Sequence, residues 1–144
     1  GVCLALFDAE DGGNIDGQPW SIGARAFASS GHRCASPEGV VIVDMVGDQD
    51  LAIYKDYAVD EALQDAIWNE ADARGVAAFH PQKKYAIIDD HVPFRERGIA
   101  SVVLIDFDYP WWHTVSDTVD KTSAASLAAV GKVLEQWLRR GGSW

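Results

Sequence analysis

Four apolar runs in this chain each break off at carboxylates, and that repeated pattern limits the fold more than any other feature. They are "LALFDAED" (residues 4–11), "VIVDMVGD" (41–48), "AIIDDH" (86–91) and "VVLIDFDYPWWH" (102–113). Continuous apolar runs, as opposed to alternating ones, suit strands covered on both faces. On this pattern Val2–Phe7, "GVVIVDMV" (39–46), a short "LAIY" (51–54, placed at an edge) and Ser101–Ile105 read as strands. Between them the apolar period changes to that of a helix. Ala62, Leu63, Ala66, Ile67 and Ala71 recur at helical spacing between a cap at Asp60 and a stop at Gly75. A short helix is expected over Trp20–Ser29, ending near Gly31, and a turn of helix after "YAIIDDH" (85–91), before Gly98. A last helix is expected over about Ser123–Arg139, capped by Thr122 or Asp120, with Leu127, Val130, Val133, Leu134 and Trp137 facing inward. Strands alternating with helices define an α/β fold, a three-layer sandwich around a mostly parallel central sheet. Residues 1–144 read as a single domain or part of one.

The charge narrows the partners. Lys and Arg number 12 against 22 Asp and Glu, a formal charge of -10, so nucleic acid and anionic membranes are repelled. No apolar run approaches the roughly 20 residues of a membrane span. The acidity serves solubility or a cation-attracting pocket, and composition leaves both open. Cys3 and Cys34 are too few for a disulfide framework. Cys3 is expected to pack as a small apolar thiol in its strand, with pairing to Cys34 an alternative in an oxidising compartment. The chain opens directly on a strand-like run without Met or a signal-like segment, which reads as the later portion of a longer protein or as a processed piece.

In a parallel α/β sheet, ligands bind outside the carboxyl ends of the strands, so the acidic tips gather in one crevice. One acidic tip alone is an ordinary turn former or N-cap. Four together, one followed closely by His113, favour a cation held by oxygen and imidazole donors, a set that Zn²⁺ accepts. Glu10 and Asp11 are adjacent, so their side chains diverge. One can hold a cation while the other faces substrate as a general base with a raised pKa. Alternatively, Asp11-Gly12-Gly13 is simply a turn.

The blocks "FDAED", "VDMVGD", "DDHVPFRERGI" and "WHTVSDTVDK" resemble, in order, the later part of the catalytic domain of the zinc-dependent M28 peptidase superfamily, which includes glutaminyl cyclases. The resemblance implies a phosphorylase/hydrolase-like zinc exopeptidase fold, incomplete at its N-terminus. By it Glu10 matches the catalytic glutamate. Asp11 matches an acidic zinc ligand that is more often Glu, and His113 matches the zinc-binding histidine. Asp44 matches a second-metal ligand in the peptidases and a member of a hydrogen-bond network in the cyclases. Asp89 joins that proton network, and Trp112 walls a substrate slot. Asp89-Asp90-His91 and the Trp112-His113 pair resemble the cyclases more than the peptidases. Trp111 is read as packing.

The superfamily's first metal-binding His-x-Asp and its bridging Asp lie upstream of the Glu-acid pair, so this chain offers two ligands where catalytic zinc takes three. His32 and His80, both in polar loops, are weak substitutes. The resemblance therefore implies a glutaminyl-peptide cyclotransferase with one Zn²⁺, or an aminopeptidase with two, acting on peptide N-termini, in an extracellular or periplasmic setting. A truncated, silent domain is the third reading. Unpaired sheet edges in such a piece would invite a homo-oligomer or the missing N-terminal segment.

Overall fold

The computed structural model describes residues 1–13, 15–32 and 34–144. In chain order the elements are α1 (Ile22–Ser29), β1 (Gly39–Asp44), β2 (Ile53–Asp56), α2 (Glu61–Ala73), β3 (Phe79–Tyr85), α3 (Val92–Arg95), β4 (Ala100–Ile105) and α4 (Ala124–Arg139). Single 3₁₀ turns lie at Glu10–Gly12 and Val119–Lys121. β1 pairs with β4 and β2 with β3, both in parallel, so every strand pair is parallel as expected. β2 also approaches β4, bringing the two pairs side by side.

Alternation of side chains along the strands builds three layers. Val41, Val102 and Leu104 pack with Leu63, Ile67 and Trp68 of α2 and with Val130, Val133 and Trp137 of α4. On the other face Val40 and Ile99 pack with Ala24 and Ala28 of α1 and Phe94 of α3. Ile42, Ile87, Val103 and Ile105 continue that face toward the strand ends. The cap and stop of α2 behave as the sequence implies: Asp60 accepts the Leu63 N–H at 2.9 Å, and Gly75 takes a φ of 66°. α4 starts one residue later than Ser123, and the Ser123 hydroxyl caps it, accepting from Ala125 and Ser126, in place of Thr122 or Asp120. Leu127 falls on the outer side of that helix, 51% exposed.

Two further expectations fail. Val2–Phe7 joins no ladder among the described residues, and Val2, Leu4 and Leu6 stand 63%, 96% and 100% exposed. An apolar run supplies strand propensity, but a strand also needs a neighbour. Phe7 alone is anchored, its ring 5.4 Å from Phe27 and 6.0 Å from Phe94. Cys3 is not a packed thiol; it forms a disulfide with Cys34, with Cα atoms 6.2 Å apart, tying this segment to the loop after α1. β2 forms a ladder with β3 alone among the described residues, which agrees with its expected place at an edge, but the partner strand β3, "FHPQKKY", is not foreseen by the sequence pattern. Its polar residues and Pro81 hide it from a periodicity reading. The ladder slips between Tyr54 and Asp56, so Pro81 sits in an irregularity where a missing N–H is tolerated.

Candidate metal centre and active site

The loop that carries Glu10 and Asp11 is held by the start of α1. The first N–H groups of a helix have no partner within it. Here Ser21 N–H donates to Glu10 O at 3.0 Å, Ile22 N–H to Ala9 O at 3.3 Å and Gly23 N–H to Asp8 O at 3.2 Å. This approach requires glycine at 23, because a Cβ there would lie 2.4 Å from Asp8 O. It also requires glycine at 13, where a Cβ would lie 2.1 Å from the Trp20 ring.

The other tips come from the sheet. Asp44 closes β1, and its Oδ1 accepts the Met45 N–H at 2.8 Å. Asp89 and Asp90 follow β3, and the Asp90 N–H donates to the Asp89 carboxylate. His113 lies in the loop after β4. Ala9 (φ 53°), Ser21 (60°), Met45 (44°) and His113 (58°) all occupy the left-handed region. Each such residue costs on the order of 1–3 kcal/mol, and such residues cluster at functional sites. All four border the acidic crevice.

Across 102 positions of sequence, His113 Nε2 and Asp11 Oδ1 come within 3.2 Å. Donors bound tetrahedrally at zinc distances stand roughly 3.3 Å apart, so this separation fits two ligands of one ion. Without a metal it also suits a hydrogen bond. Among the described residues no group of three or more His, Cys, Asp or Glu is arranged to hold a metal, so the pair offers two donors at most. His32 accepts the Cys34 N–H beside the disulfide, and His80 stacks on Tyr54 at 4.6 Å, so neither is engaged with the pair.

The carboxylates crowd one another. Burial first, then the Asp11 side chain and the charges of Asp89, Asp11 and Asp90, push Glu10 up to about 8. Burial, with Asp44, Asp90 and Asp11 nearby, pushes Asp89 up to about 7, against the Asp90 N–H, which pulls it down. Asp44 is raised by burial and by Asp11, with the Met45 N–H and His113 opposing. Asp90 is raised by burial, with the Ser21 hydroxyl opposing. Glu10 therefore holds a proton near neutral pH more readily than an ordinary carboxylate, and the charge of Asp89 contributes to that. The Trp112 ring stands edge-on to His113 at 4.5 Å and packs on Phe107 at 5.1 Å, walling one side. Trp111 lies under Lys121, whose Nζ is 5.3 Å from its ring.

The structure thus brings Glu10, Asp11, Asp44, Asp89, Trp112 and His113 together. Sequence reasoning missed Ser21, which falls inside the helix expected over Trp20–Ser29, whereas α1 begins at Ile22. It also missed Asp90, named only as part of a motif, and Phe107, hidden between two acids.

Comparison with known proteins accords with this geometry. The model of Peptidase family M28 matches residues 1–138, and the chain belongs to that family. Glutaminyl-peptide cyclotransferases of Boiga irregularis and Boiga dendrophila are each 32% identical over 54 residues, 37% of this chain and 15% of theirs. Among solved structures, a Porphyromonas gingivalis glutaminyl cyclase superposes with a TM-score of 0.84 at 27% identity, over 94% of this chain and 54% of that one. An Acidobacteriales bacterium glutaminyl cyclase gives 0.73 at 30% identity, over 85% and 48%. A Zn-dependent exopeptidase of Parabacteroides distasonis gives 0.78 at 25% identity, over 90% and 51%. The chain spans about half the length of these solved relatives.

Proposed function

We propose that the whole protein is a zinc-dependent glutaminyl-peptide cyclotransferase, closing an N-terminal glutamine to pyroglutamate. The observation that carries this reading is the convergence of Asp11 and His113 at 3.2 Å beside a Glu10 raised to about 8. Glutaminyl cyclases recur among the relatives, which supports the choice of reaction. Asp11 and His113 would hold a zinc ion, and the chemistry it would supply when bound is Lewis-acid polarisation of the γ-amide carbonyl.

The residues of this chain manage one proton. The α-amine nitrogen attacks the γ-carbonyl carbon, a C–N bond forms, and the γ-amide nitrogen leaves as ammonia. Glu10 takes the proton released by the amine and returns it to the departing nitrogen. Asp89, itself raised to about 7, and Asp44 belong to the same acidic network, while burial with the Asp11 side chain and the charges of Asp89, Asp11 and Asp90 keeps Glu10 at about 8. Trp112 and Phe107 form an apolar wall for the glutamine methylenes.

The exopeptidase relative and Asp44 beside the Asp11–His113 pair favour a second reading, an aminopeptidase with two metals and Glu10 activating water. The assay uses the whole protein with a Gln-peptide. Ammonia release, about one zinc per site, and a loss of roughly 10²–10⁴-fold in Glu10→Gln are expected. Cleavage of aminoacyl amides without ammonia release from Gln-peptides, at about two zincs per site, rejects the cyclase reading.

A further inference from the structure

Where the β2–β3 ladder ends, one buried carboxylate takes over from it. The last ladder partners are Asp56 and Tyr85, and the Tyr57 N–H still donates to Tyr85 O at 2.8 Å. Beyond that point the chain after β3 has no strand to pair with among the described residues, yet the Ile87 N–H is not orphaned. It donates to Asp56 Oδ2 at 2.7 Å, and the other oxygen of that carboxylate accepts the Ala58 N–H. A buried main-chain donor needs such a partner, and a buried carboxylate needs such donors. Asp56 is 2% exposed.

Asp56 is itself held from behind. Gln64 of α2, fully buried, accepts the Asp56 N–H at 2.7 Å through Oε1 and donates from Nε2 to the Asp56 carbonyl at 3.2 Å. Both main-chain groups of Asp56 are thus bonded to a helix side chain, and its carboxylate reaches across to the segment that carries Asp89. In that segment Ile87 packs in the core with Val103 and Ile105 of β4, and Asp89 follows, buried. The Asp89 carbonyl accepts the Val92 N–H at 2.9 Å, anchoring the first N–H of α3. Asp89 is therefore held on both sides, by the Ile87 N–H before it and by the first turn of α3 after it.

We propose that Asp56 is a positioning residue for Asp89: its carboxylate ties the end of β2 to the Ile87 N–H and so fixes where Asp89 enters the acidic crevice. Asp56 is buried and acts without touching substrate. Its role rests on the proton-network role given above to Asp89. Loss of the carboxylate should misplace Asp89 within a protein that still folds, so kcat falls while KM holds.

The test uses the whole protein with a Gln-peptide. Asp56→Asn keeps the side chain's shape but turns an N–H donor toward one of the two main-chain N–H groups, so one bond is lost. Its kcat should fall about tenfold, with KM within about twofold. Gln64→Met is the control for general loosening. It strips both bonds from the Asp56 main chain and leaves the carboxylate, so stability in denaturant falls while kcat stays within about twofold. In an Asp89→Asn background, adding Asp56→Asn should slow kcat by no more than about twofold, because residues acting through one link do not add. Amide exchange at Ile87, Asp90 and Val92 should quicken in Asp56→Asn while α4 is unchanged. An unchanged kcat or unaltered exchange in Asp56→Asn, an equal kcat loss in Gln64→Met, or multiplying losses in the double variant overturns the proposal. So does fast exchange of the Ile87 amide in the wild type, a result that needs no variant to fold. Should the wild type turn over neither Gln-peptides nor aminoacyl amides, the cyclase reading falls, and exchange by itself decides whether Asp56 holds the Asp89 segment.

Discussion

The two walls of the acidic crevice are built by different means. Asp44 closes β1, whose Val40 and Val41 pack against helices on opposite faces, and Asp89 follows Ile87, which is buried with Val103 and Ile105 of β4. Glu10 and Asp11 stand on a segment with no ladder, secured by Phe7, a disulfide and three hydrogen bonds from the start of α1. One wall inherits its position from the core. The other is moored to it at a few points, so local opening there should need less free energy than global unfolding.

The largest effect that sharpens this contrast is in the core. Leu104→Ala, at a position with no exposure, should lower global stability by about 2–5 kcal/mol in denaturant titration. Exchange across β1, β4 and α4 should then rise together. Removing the disulfide with Cys3→Ser and Cys34→Ser should act differently, loosening the Glu10 wall by about 2–4 kcal/mol while core strands keep their protection. Equal loss of protection in β4 would show the two walls to be one cooperative unit.

His91, next to Asp90, is fully buried, and among the described residues neither of its ring nitrogens has a hydrogen-bond partner. Burial first, then the Arg95 charge, push its pKa from 6.5 to about 4. Between those values the unfolded chain binds a proton that the native chain refuses. Stability therefore falls as pH drops from about 6.5 toward 4, by up to about 1.4 kcal/mol per pH unit. His91→Phe should flatten that slope, and an unchanged slope would assign it to other groups. Smallest is Asp60→Ala, which removes the α2 cap far from the crevice and should cost about 1 kcal/mol of global stability with turnover unchanged.

Legibility followed the same division. α2 and α4 were readable because one buried face imposes a helical period, β1 and β4 because burial on both faces gives a continuous apolar run, and Asp60 and Gly75 mark the ends of α2 by local chemistry. β3 was not, because an outer strand with Pro81 and two lysines carries no apolar period. Val2–Phe7 misled for the opposite reason: its composition suits a strand, but pairing depends on a neighbour. Within the site, adjacency suggested divided labour for Glu10 and Asp11. The partnership of Asp11 with His113 spans 102 positions and was legible only through resemblance to a family. Ser21 gave no signal of its own, because the helix expected over Trp20–Ser29 enclosed it, whereas α1 begins at Ile22.

Gly23 sets a limit on engineering. Alanine is the residue a designer would choose there, since glycine within a helix forfeits about 1 kcal/mol relative to it. Yet one added methyl group would strike the Asp8 carbonyl and tilt the whole acidic shoulder outward. A thermostabilised version of this helix would thus be bought with its chemistry, and directed evolution for heat tolerance should leave position 23 untouched.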